Sequence, residues 1–164
     1  MADRPVILVT NDDGYFAPGL KTLSGVMREL GDVVVVAPDQ PMSGTGHAIT
    51  VRHPLRLHLI SESEGYREYS CNGTPVDCVK LGEQVVLKRK PDLMVAGINH
   101  GSNASINIIY SGTMASVLES AIGGVPSIGF SLLDYSIRAD FSACAAYIRP
   151  IARKVLESGL PDGV

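Results

Sequence analysis

The sequence contains no tryptophan, only 5% aromatic residues and only three cysteines among its 164 residues. Cys71, Cys78 and Cys144 are odd in number and lack C-x-x-C spacing, so free thiols are predicted rather than a zinc knuckle or a disulfide framework. No apolar run approaches the roughly 18 residues that a membrane-spanning helix needs. The first residues also lack the succession of charged, apolar and small residues that forms a signal peptide. We therefore expect a cytoplasmic protein with no membrane partner.

The sequence also has no excess of basic residues. It contains 14 lysines and arginines and 17 aspartates and glutamates, which gives a net charge of -3. Domains that bind polymeric nucleic acid usually carry a basic face, so no such partner is predicted, whereas a small anionic ligand is compatible with the composition. No G-K-[ST] sequence forms a Walker loop, and Ile49 stands where a G-x-G-x-x-G motif beginning at Gly44 needs its third glycine. These sequence motifs therefore do not indicate ATP or NAD as a ligand.

The composition is otherwise that of a globular protein, with 45% hydrophobic and 19% charged residues, and the length fits a single domain over residues 1–164. The sequence also contains 17 glycines and 10 prolines, which predict many tight loops. Because loops carry a large share of binding and catalytic residues, we look for function there.

Apolar segments alternate with segments of helical periodicity along the chain. Residues 6–9, 32–37, 92–97 and 125–131 are apolar nearly throughout and predict buried strands, each followed by a helix. Strands buried on both faces predict an α/β fold, specifically a doubly wound, mostly parallel, Rossmann-like sheet. Residues 48–60 and 66–71 alternate in polarity instead and predict a peripheral antiparallel β-hairpin.

Two further helices carry local signals. Thr74, Pro75 and Asp77 form a helix-start signature, which predicts a helix that runs to about Leu87. The periodicity of residues 141–156 predicts a last helix, kinked at Pro150.

Three polar, glycine-rich loops follow the carboxyl ends of predicted strands, at residues 11–14, 38–47 and 97–113. In doubly wound folds ligands bind beyond these ends, so we expect the three loops to converge. Most of their side chains offer oxygen ligands, which suit Mg²⁺ or Mn²⁺, whereas zinc would favour histidine or cysteine. The oxygen-bearing residues are Asn11, Asp12, Asp13, Ser43, Asn99, Asn103, Ser105, Asn107, Ser111 and Thr113.

Asp12 and Asp13 are the strongest local signal in these loops. Two adjacent carboxylates at the end of a buried strand repel each other and lose hydration, which predicts a divalent metal ion between them. The alternative is a polar turn that Asp12 and Gly14 shape, with one acid acting as a cap.

Ser111, Gly112 and Thr113 stand where a helix is predicted to begin. The free N–H groups of a helix start suit a phosphate, and the alternative is an ordinary serine or threonine N-cap. His47 and His100 lie nearby without metal-ligand spacing, so we interpret both as structural histidines.

Together these motifs resemble those of the family of the stationary-phase survival protein SurE. Members of that family are metal-dependent nucleotidases. The resemblance extends from near the start of the chain to about Ser131, and the order and spacing of its motifs are specific. Its segments are VTNDDGYFAPGL at 9–20, VVAPDQPMSGTGHAIT at 35–50, NGTPVDCVKLG at 72–82, PDLMVAGINHGSN at 91–103 and IYSGTMASVLES at 109–120.

The resemblance implies functional residues and an activity. It implies that Asp12, Asp13, Ser43 and Asn99 bind one divalent ion, Mg²⁺ or Mn²⁺, with the two aspartates as catalytic residues. It also implies phosphate contacts from the segment Ser111, Gly112 and Thr113, and we add Asn11, Gly44 and Asn103 as substrate-binding candidates. The implied enzyme is a 5′-nucleotidase that hydrolyses nucleoside 5′- or 3′-monophosphates, and in some members short polyphosphate.

Two alternatives to this enzyme stay open. One is a non-catalytic nucleotide-binding or assembly module. The other is an aspartyl-phosphate phosphatase, which needs a second acid two positions after its nucleophile; here Gly14 occupies that place after Asp12. Family members continue past the end of this chain, so the resemblance implies a missing carboxyl-terminal part that would support a homodimer or homotetramer.

Overall fold

Six strands form one sheet within residues 4–136 and 138–161, which the computed structural model describes. The strands are β1 (Val6–Thr10), β2 (Asp32–Pro38), β3 (Leu57–Ser63), β4 (Tyr66–Cys71), β5 (Leu93–His100) and β6 (Ser127–Leu132). Their order across the sheet is β3-β4-β2-β1-β5-β6, and only the pair β3-β4 is antiparallel. The predicted mostly parallel α/β sheet is thus confirmed. Residues 1–3, 137 and 162–164 belong to the predicted single domain but lie outside the described residues.

Helices cover both faces of this sheet. The α-helices are α1 (Pro18–Arg28), α2 (Pro75–Leu81), α3 (Asn107–Tyr110), α4 (Gly112–Ile122) and α5 (Ala145–Ser158). A π-helical segment, Gly82–Leu87, continues α2 to the predicted end, and a short 3-10 turn, Ser142–Cys144, precedes α5 within the predicted last helix. Among the described residues, no helix is long and apolar enough to cross a membrane.

Two hydrophobic cores lie on opposite faces of the sheet, because successive strand residues point to opposite sides. The core on the side of α1 and α5 includes Ile7, Leu23, Val33, Leu93 and Ile148. The core on the side of α2 and α4 includes Leu8, Val34, Val79, Met94 and Val117. The apolar runs of the central strands are explained by this burial on both faces.

The predicted hairpin is present, but it is part of the main sheet. Strands β3 and β4 pair in antiparallel fashion, while β4 also pairs in parallel with β2, so that only β3 is peripheral. Residues 48–56, which belonged to the predicted first strand, form no strand. Pro54 lies in this stretch and lacks the N–H group that strand pairing needs.

Strand β5 extends beyond its predicted end at residue 97 and reaches His100. It does so because pairing with β6 resumes at Asn99 after an irregularity. The following segment, predicted as a loop up to residue 113, also contains the four-residue helix α3, which is too short to show periodicity in the sequence.

The predicted helix starts and free thiols are confirmed. Thr74 caps α2 through a capping box with Asp77, and its polar groups satisfy backbone N–H groups that the helix leaves unpaired. Cys71 and Cys78 are buried and Cys144 is partly buried, all as free cysteines.

Candidate active site

The three polar loops meet at the carboxyl ends of β1, β2 and β5 and enclose a pocket of about 260 Å³. Their convergence is the arrangement that the strand order predicts for a doubly wound sheet. The residues singled out in the sequence that line this pocket are Asp12, Asp13, Ser43, Gly44, Asn99, Asn103, Asn107 and Ser111.

Asp12 is held by two neighbouring loops. Its carbonyl oxygen accepts a 2.7 Å hydrogen bond from the N–H of Met42, which joins the β1 loop to the β2 loop. Its Oδ1 accepts a 2.6 Å hydrogen bond from Thr113 Oγ1, and the residue is only 3% exposed. Burial raises the pKa of the Asp12 carboxyl, although the Thr113 hydroxyl acts in the opposite direction. A positive charge nearby would stabilise the ionised form of such a buried carboxylate.

Asp13 is less well satisfied than Asp12. Its Oδ2 is buried and has no hydrogen-bond partner among the described residues. Burial raises the pKa of the Asp13 carboxyl, and the negative charge of Asp12 raises it further. No lysine or arginine in the described part of the chain lines the pocket. Within the described residues, the pocket therefore offers this carboxylate pair no permanently charged side chain, although His100, which lines the pocket, acts to lower the pKa of Asp13.

Asn99 is oriented by the irregularity in β5. The irregularity includes Gly97, whose φ is +126° and whose added Cβ would lie 2.3 Å from the carbonyl oxygen of Phe130, so only glycine fits. Asn99 Nδ2 donates to the carbonyl of His100 at 2.9 Å and to Asn103 Oδ1 at 3.0 Å. Because these bonds engage the amide nitrogen, the side-chain oxygen of Asn99 is the atom available as a ligand.

Asn103 connects Asn99 to the start of α4. Its Oδ1 accepts hydrogen bonds from Asn99 Nδ2 and from Ser111 Oγ, the latter at 2.9 Å. Ser111 Oγ in turn accepts a 3.0 Å bond from the N–H of Met114, which confirms the N-cap alternative for this residue. Asn103 Nδ2 is buried and has no acceptor among the described residues. A buried donor without an acceptor costs free energy. Asn103 Nδ2 is therefore a donor that the acceptor atom of a ligand would satisfy.

The loop that carries Ser43 is fixed on its far side. The N–H of Gly46 donates to the carbonyl of Tyr110 at 3.2 Å, and His47 Nε2 lies 2.8 Å from Glu119 Oε2 on α4. His47 is thus a hydrogen-bonded structural histidine, as predicted. His100 is also hydrogen-bonded, through Nδ1 to a backbone carbonyl.

Some predicted site residues lie behind the pocket. Asn11 is buried and shapes the turn, because its Nδ2 donates to the carbonyl of Gly14 at 3.1 Å. Gly112 and Thr113 are buried next to the Asp12 side chain and do not line the pocket.

Three residues that line the pocket were not predicted as site residues, namely His100, Ser102 and Tyr110. Their positions beside Asn99, Asn103 and Ser111 in the sequence are the signal that could have identified them. Tyr110 precedes the predicted helix start directly, and His100 follows Asn99 directly.

The donor set fits a hard divalent cation. The described residues contain no group of three or more histidine, cysteine, aspartate or glutamate side chains that could hold a metal ion. Two carboxylates together with hydroxyl and amide oxygens instead match the oxygen preference of Mg²⁺, which retains several waters. The buried, unpartnered Asp13 Oδ2 is an acceptor that such an ion would satisfy.

The architecture and the pocket together define a class of protein. A doubly wound, mostly parallel sheet with an oxygen-lined pocket at the carboxyl ends of its strands is typical of Rossmann-like α/β proteins that bind small ligands at that edge. The profile of the family described as Survival protein SurE matches residues 7–164. The chain belongs to this family.

Named relatives and a solved structure agree with this assignment. The chain is 60% identical over 163 residues to the 5′-nucleotidase SurE of Christiangramia forsetii, covering 98% of this chain and 63% of that protein. It is 52% identical over 158 residues to the 5′-nucleotidase SurE of Bacteroides fragilis, covering 96% and 62%. The crystal structure of the SurE protein from Aquifex aeolicus matches with a TM-score of 0.84 and 42% identity, over 96% of this chain and 62% of that chain. The chain thus spans less than two thirds of the length of these relatives.

Proposed function

We propose that this pocket hydrolyses nucleoside 5′-monophosphates to nucleoside and phosphate with the help of one divalent ion, Mg²⁺ or Mn²⁺. One observation carries the proposal: the pocket contains a buried acceptor without a donor, Asp13 Oδ2, and a buried donor without an acceptor, Asn103 Nδ2. A cation satisfies the acceptor and a phosphate oxygen satisfies the donor. The names of the relatives, which are 5′-nucleotidases, support the same substrate class.

Asp12, Asp13, Ser43 and Asn99 would hold the ion. When bound, a divalent ion supplies Lewis acidity toward phosphoryl oxygens and lowers the pKa of a water molecule. The two carboxylates would balance the charge of the ion. Hydrogen bonds engage the amide nitrogen of Asn99, which leaves its side-chain oxygen available as a ligand.

Asn103 and the start of α4 would orient the phosphate. Asn103 Nδ2 donates a hydrogen bond to one phosphate oxygen, with Gly44 and the backbone near Ser111 on the neighbouring walls. Water attacks phosphorus and the bond from phosphorus to the nucleoside oxygen breaks. The proton that the attacking water loses is balanced by the proton that the nucleoside oxygen gains, so the products are an alcohol and phosphate. No phosphoenzyme forms, because the position two residues after Asp12 is Gly14 and not the second acid of an aspartyl-phosphate phosphatase.

Further properties implied by the family resemblance stay predictions. They are activity on nucleoside 3′-monophosphates and on short polyphosphate, and assembly into a homodimer or homotetramer. The cytoplasmic location, which was predicted from the lack of a membrane span and of a signal-peptide pattern, also stays a prediction.

A phosphate-release assay with AMP, in Mn²⁺ and in chelator, tests the proposal. It compares the unmodified protein with Asp12→Asn and Asp13→Asn, in this chain and in a chimera that carries the carboxyl-terminal remainder of the Christiangramia forsetii relative. Loss of a group that hydrogen-bonds to a metal ligand typically costs roughly 10- to 100-fold in metal affinity or activity. Because both variants alter a proposed ligand itself, we expect each to lose more activity than that. Both should stay folded, because removal of one charge relieves repulsion between the two carboxylates.

Glu64→Gln is the control, since it alters an exposed carboxyl in the turn between β3 and β4, which does not line the pocket. Activity in the control should stay close to that of the unmodified protein. Full activity of either pocket variant in chelator would contradict the proposal. A chimera that binds AMP without releasing phosphate would favour the nucleotide-binding module.

A further inference from the structure

Thr113 does not face the pocket, and its hydroxyl hydrogen is already engaged. Its Oγ1 donates a hydrogen bond of 2.6 Å to Asp12 Oδ1, and the residue is 0% exposed. A threonine hydroxyl has a single hydrogen to donate. Thr113 therefore has no hydroxyl hydrogen left for a phosphate oxygen while it holds Asp12.

The rest of the α4 start also packs against Asp12. A Cβ added to Gly112 would lie 2.8 Å from Asp12 Cβ and 3.0 Å from Asp12 Oδ2, so the glycine backbone is in close contact with this side chain. Ser111 is engaged elsewhere, with Asn103 and with the N–H of Met114. The first turn of α4 is thus built around the carboxylate of Asp12.

Asp13 has no hydroxyl partner of this kind among the described residues. Its Oδ2 is buried without a partner among the described residues, whereas Asp12 Oδ1 has a short, buried hydrogen bond. Of the two carboxylates, only Asp12 has its side chain held by a neighbouring hydroxyl before any ion arrives.

We propose that Thr113 is a positioning residue, whose hydroxyl fixes the Asp12 carboxylate for the divalent ion and is not a donor to the phosphate. This inference rests on the proposed function, because it assumes that Asp12 is a metal ligand. Partners that hydrogen-bond to a metal ligand fix its orientation, and their loss typically lowers metal affinity by about 10- to 100-fold. Thr113 would therefore act on metal affinity, whereas a phosphate-binding threonine would act on substrate affinity.

Two separate affinities test this role. The first is the affinity for Mn²⁺ without phosphate, measured by electron paramagnetic resonance of the free ion. The second is the affinity for inorganic phosphate at saturating Mn²⁺, measured by calorimetric titration. Both are determined for the unmodified protein, for Thr113→Val, which keeps the shape and removes the hydroxyl, and for Thr113→Ser, which keeps the hydroxyl.

We expect Thr113→Val to weaken Mn²⁺ binding by about 10- to 100-fold. Thr113→Ser should restore it to within about threefold, and phosphate affinity at saturating Mn²⁺ should change by less than about threefold in both variants. Any other pattern overturns the inference, including a loss in phosphate affinity alone or a loss that serine does not restore. Thr113→Ala replaces the valine variant if circular dichroism shows that valine disturbs the fold.

Asp13→Asn separates this inference from the proposed function. If this variant binds Mn²⁺ as tightly as the unmodified protein, the metal site itself is wrong. If it loses Mn²⁺ binding while Thr113→Val does not, the metal site stands and only the role of Thr113 is wrong.

Discussion

Asp12 and Asp13 are adjacent in the sequence but have different surroundings. Asp12 is fixed by Thr113 and by the close approach of Gly112, while Asp13 has a buried oxygen without a partner. This combination gives the proposed ion one ligand that is oriented in advance and one that the ion itself satisfies. The repulsion that the sequence predicts between the two carboxylates contributes to the raised pKa of Asp13, after burial as the largest cause. The pKa of Asp12 is raised by burial.

Gly112 is the residue at which this packing is most sensitive. An added Cβ would approach Asp12 to 2.8 Å, so we expect Gly112→Ala to lower the free energy of unfolding by about 1–3 kcal/mol through overpacking. The affinity of the Gly112→Ala variant for Mn²⁺ should fall as well. Urea denaturation and Mn²⁺ titration measure the two effects.

Gly25→Ala is the matched control for this substitution. Gly25 is exposed in α1, and no atom lies within 4 Å of an added Cβ. Alanine at this position should raise the free energy of unfolding by roughly 0.5–1 kcal/mol, because glycine is unfavourable within a helix. If the two variants had equal stability and equal Mn²⁺ affinity, the close contact between Gly112 and Asp12 would be refuted.

At the scale of secondary-structure elements, Glu119 joins three parts of the site. It lies on α4, contacts Lys80 on α2 through Oε1, and contacts His47 on the Ser43 loop through Oε2 at 2.8 Å. Burial alone would raise the pKa of the Glu119 carboxyl, but the hydrogen bonds from Lys80 and His47 outweigh burial and lower it. The ionised form of Glu119 is therefore favoured in the folded protein.

We expect Glu119→Gln to lower the free energy of unfolding by at most about 1 kcal/mol at pH 7, since the Lys80 side chain is 42% exposed and its charge is screened. Because the folded-state pKa of Glu119 is lowered, its contribution is complete above the unfolded-state pKa. The contribution disappears as the pH falls through the folded-state pKa. Urea denaturation between pH 7 and pH 3 measures this difference.

The control for Glu119 is Glu64→Gln, which alters an exposed carboxyl in the turn between β3 and β4. This variant should show no comparable dependence on pH. A destabilisation of Glu119→Gln that persisted unchanged at pH 3 would show that the ion pairs are not its cause.

The elements that the sequence predicted well are those with a strong local signal. Burial on both faces makes the central strands apolar throughout, and Thr74 and Ser111 carry the side chains that cap helices. The pairing of β4 with β2 and the bulge at Gly97 depend on contacts between distant segments, so neither appears in a local pattern. The contact between Thr113 and Asp12 joins residues 101 positions apart and was missed for the same reason.

At the scale of the whole molecule, charge limits which substrates fit. The chain has a net charge of -3, and no lysine or arginine among the described residues lines the pocket. A monophosphate dianion can be matched by one ion and by the donor of Asn103. A triphosphate would bring further negative charge without an evident basic partner.

We therefore expect AMP and GMP to be hydrolysed well ahead of ATP. A Mn²⁺-supplemented phosphate-release assay measures this order in the chimera described above, with p-nitrophenyl phosphate as the comparison that lacks a nucleoside. If the charge of the substrate sets the limit, the large difference in hydrolysis rate is the one between the monophosphates and ATP. Hydrolysis of ATP as fast as that of AMP would contradict this specificity.

The central claim is that one divalent ion and one phosphate share the pocket at the carboxyl ends of β1, β2 and β5. Anomalous diffraction at the manganese edge, from crystals grown with Mn²⁺ and AMP, tests it most directly. We expect one manganese peak coordinated by Asp12 and Asp13, with the phosphate of AMP or its product next to Asn103. A crystal in which AMP is bound but manganese is absent from this pocket, or lies elsewhere, would contradict the claim.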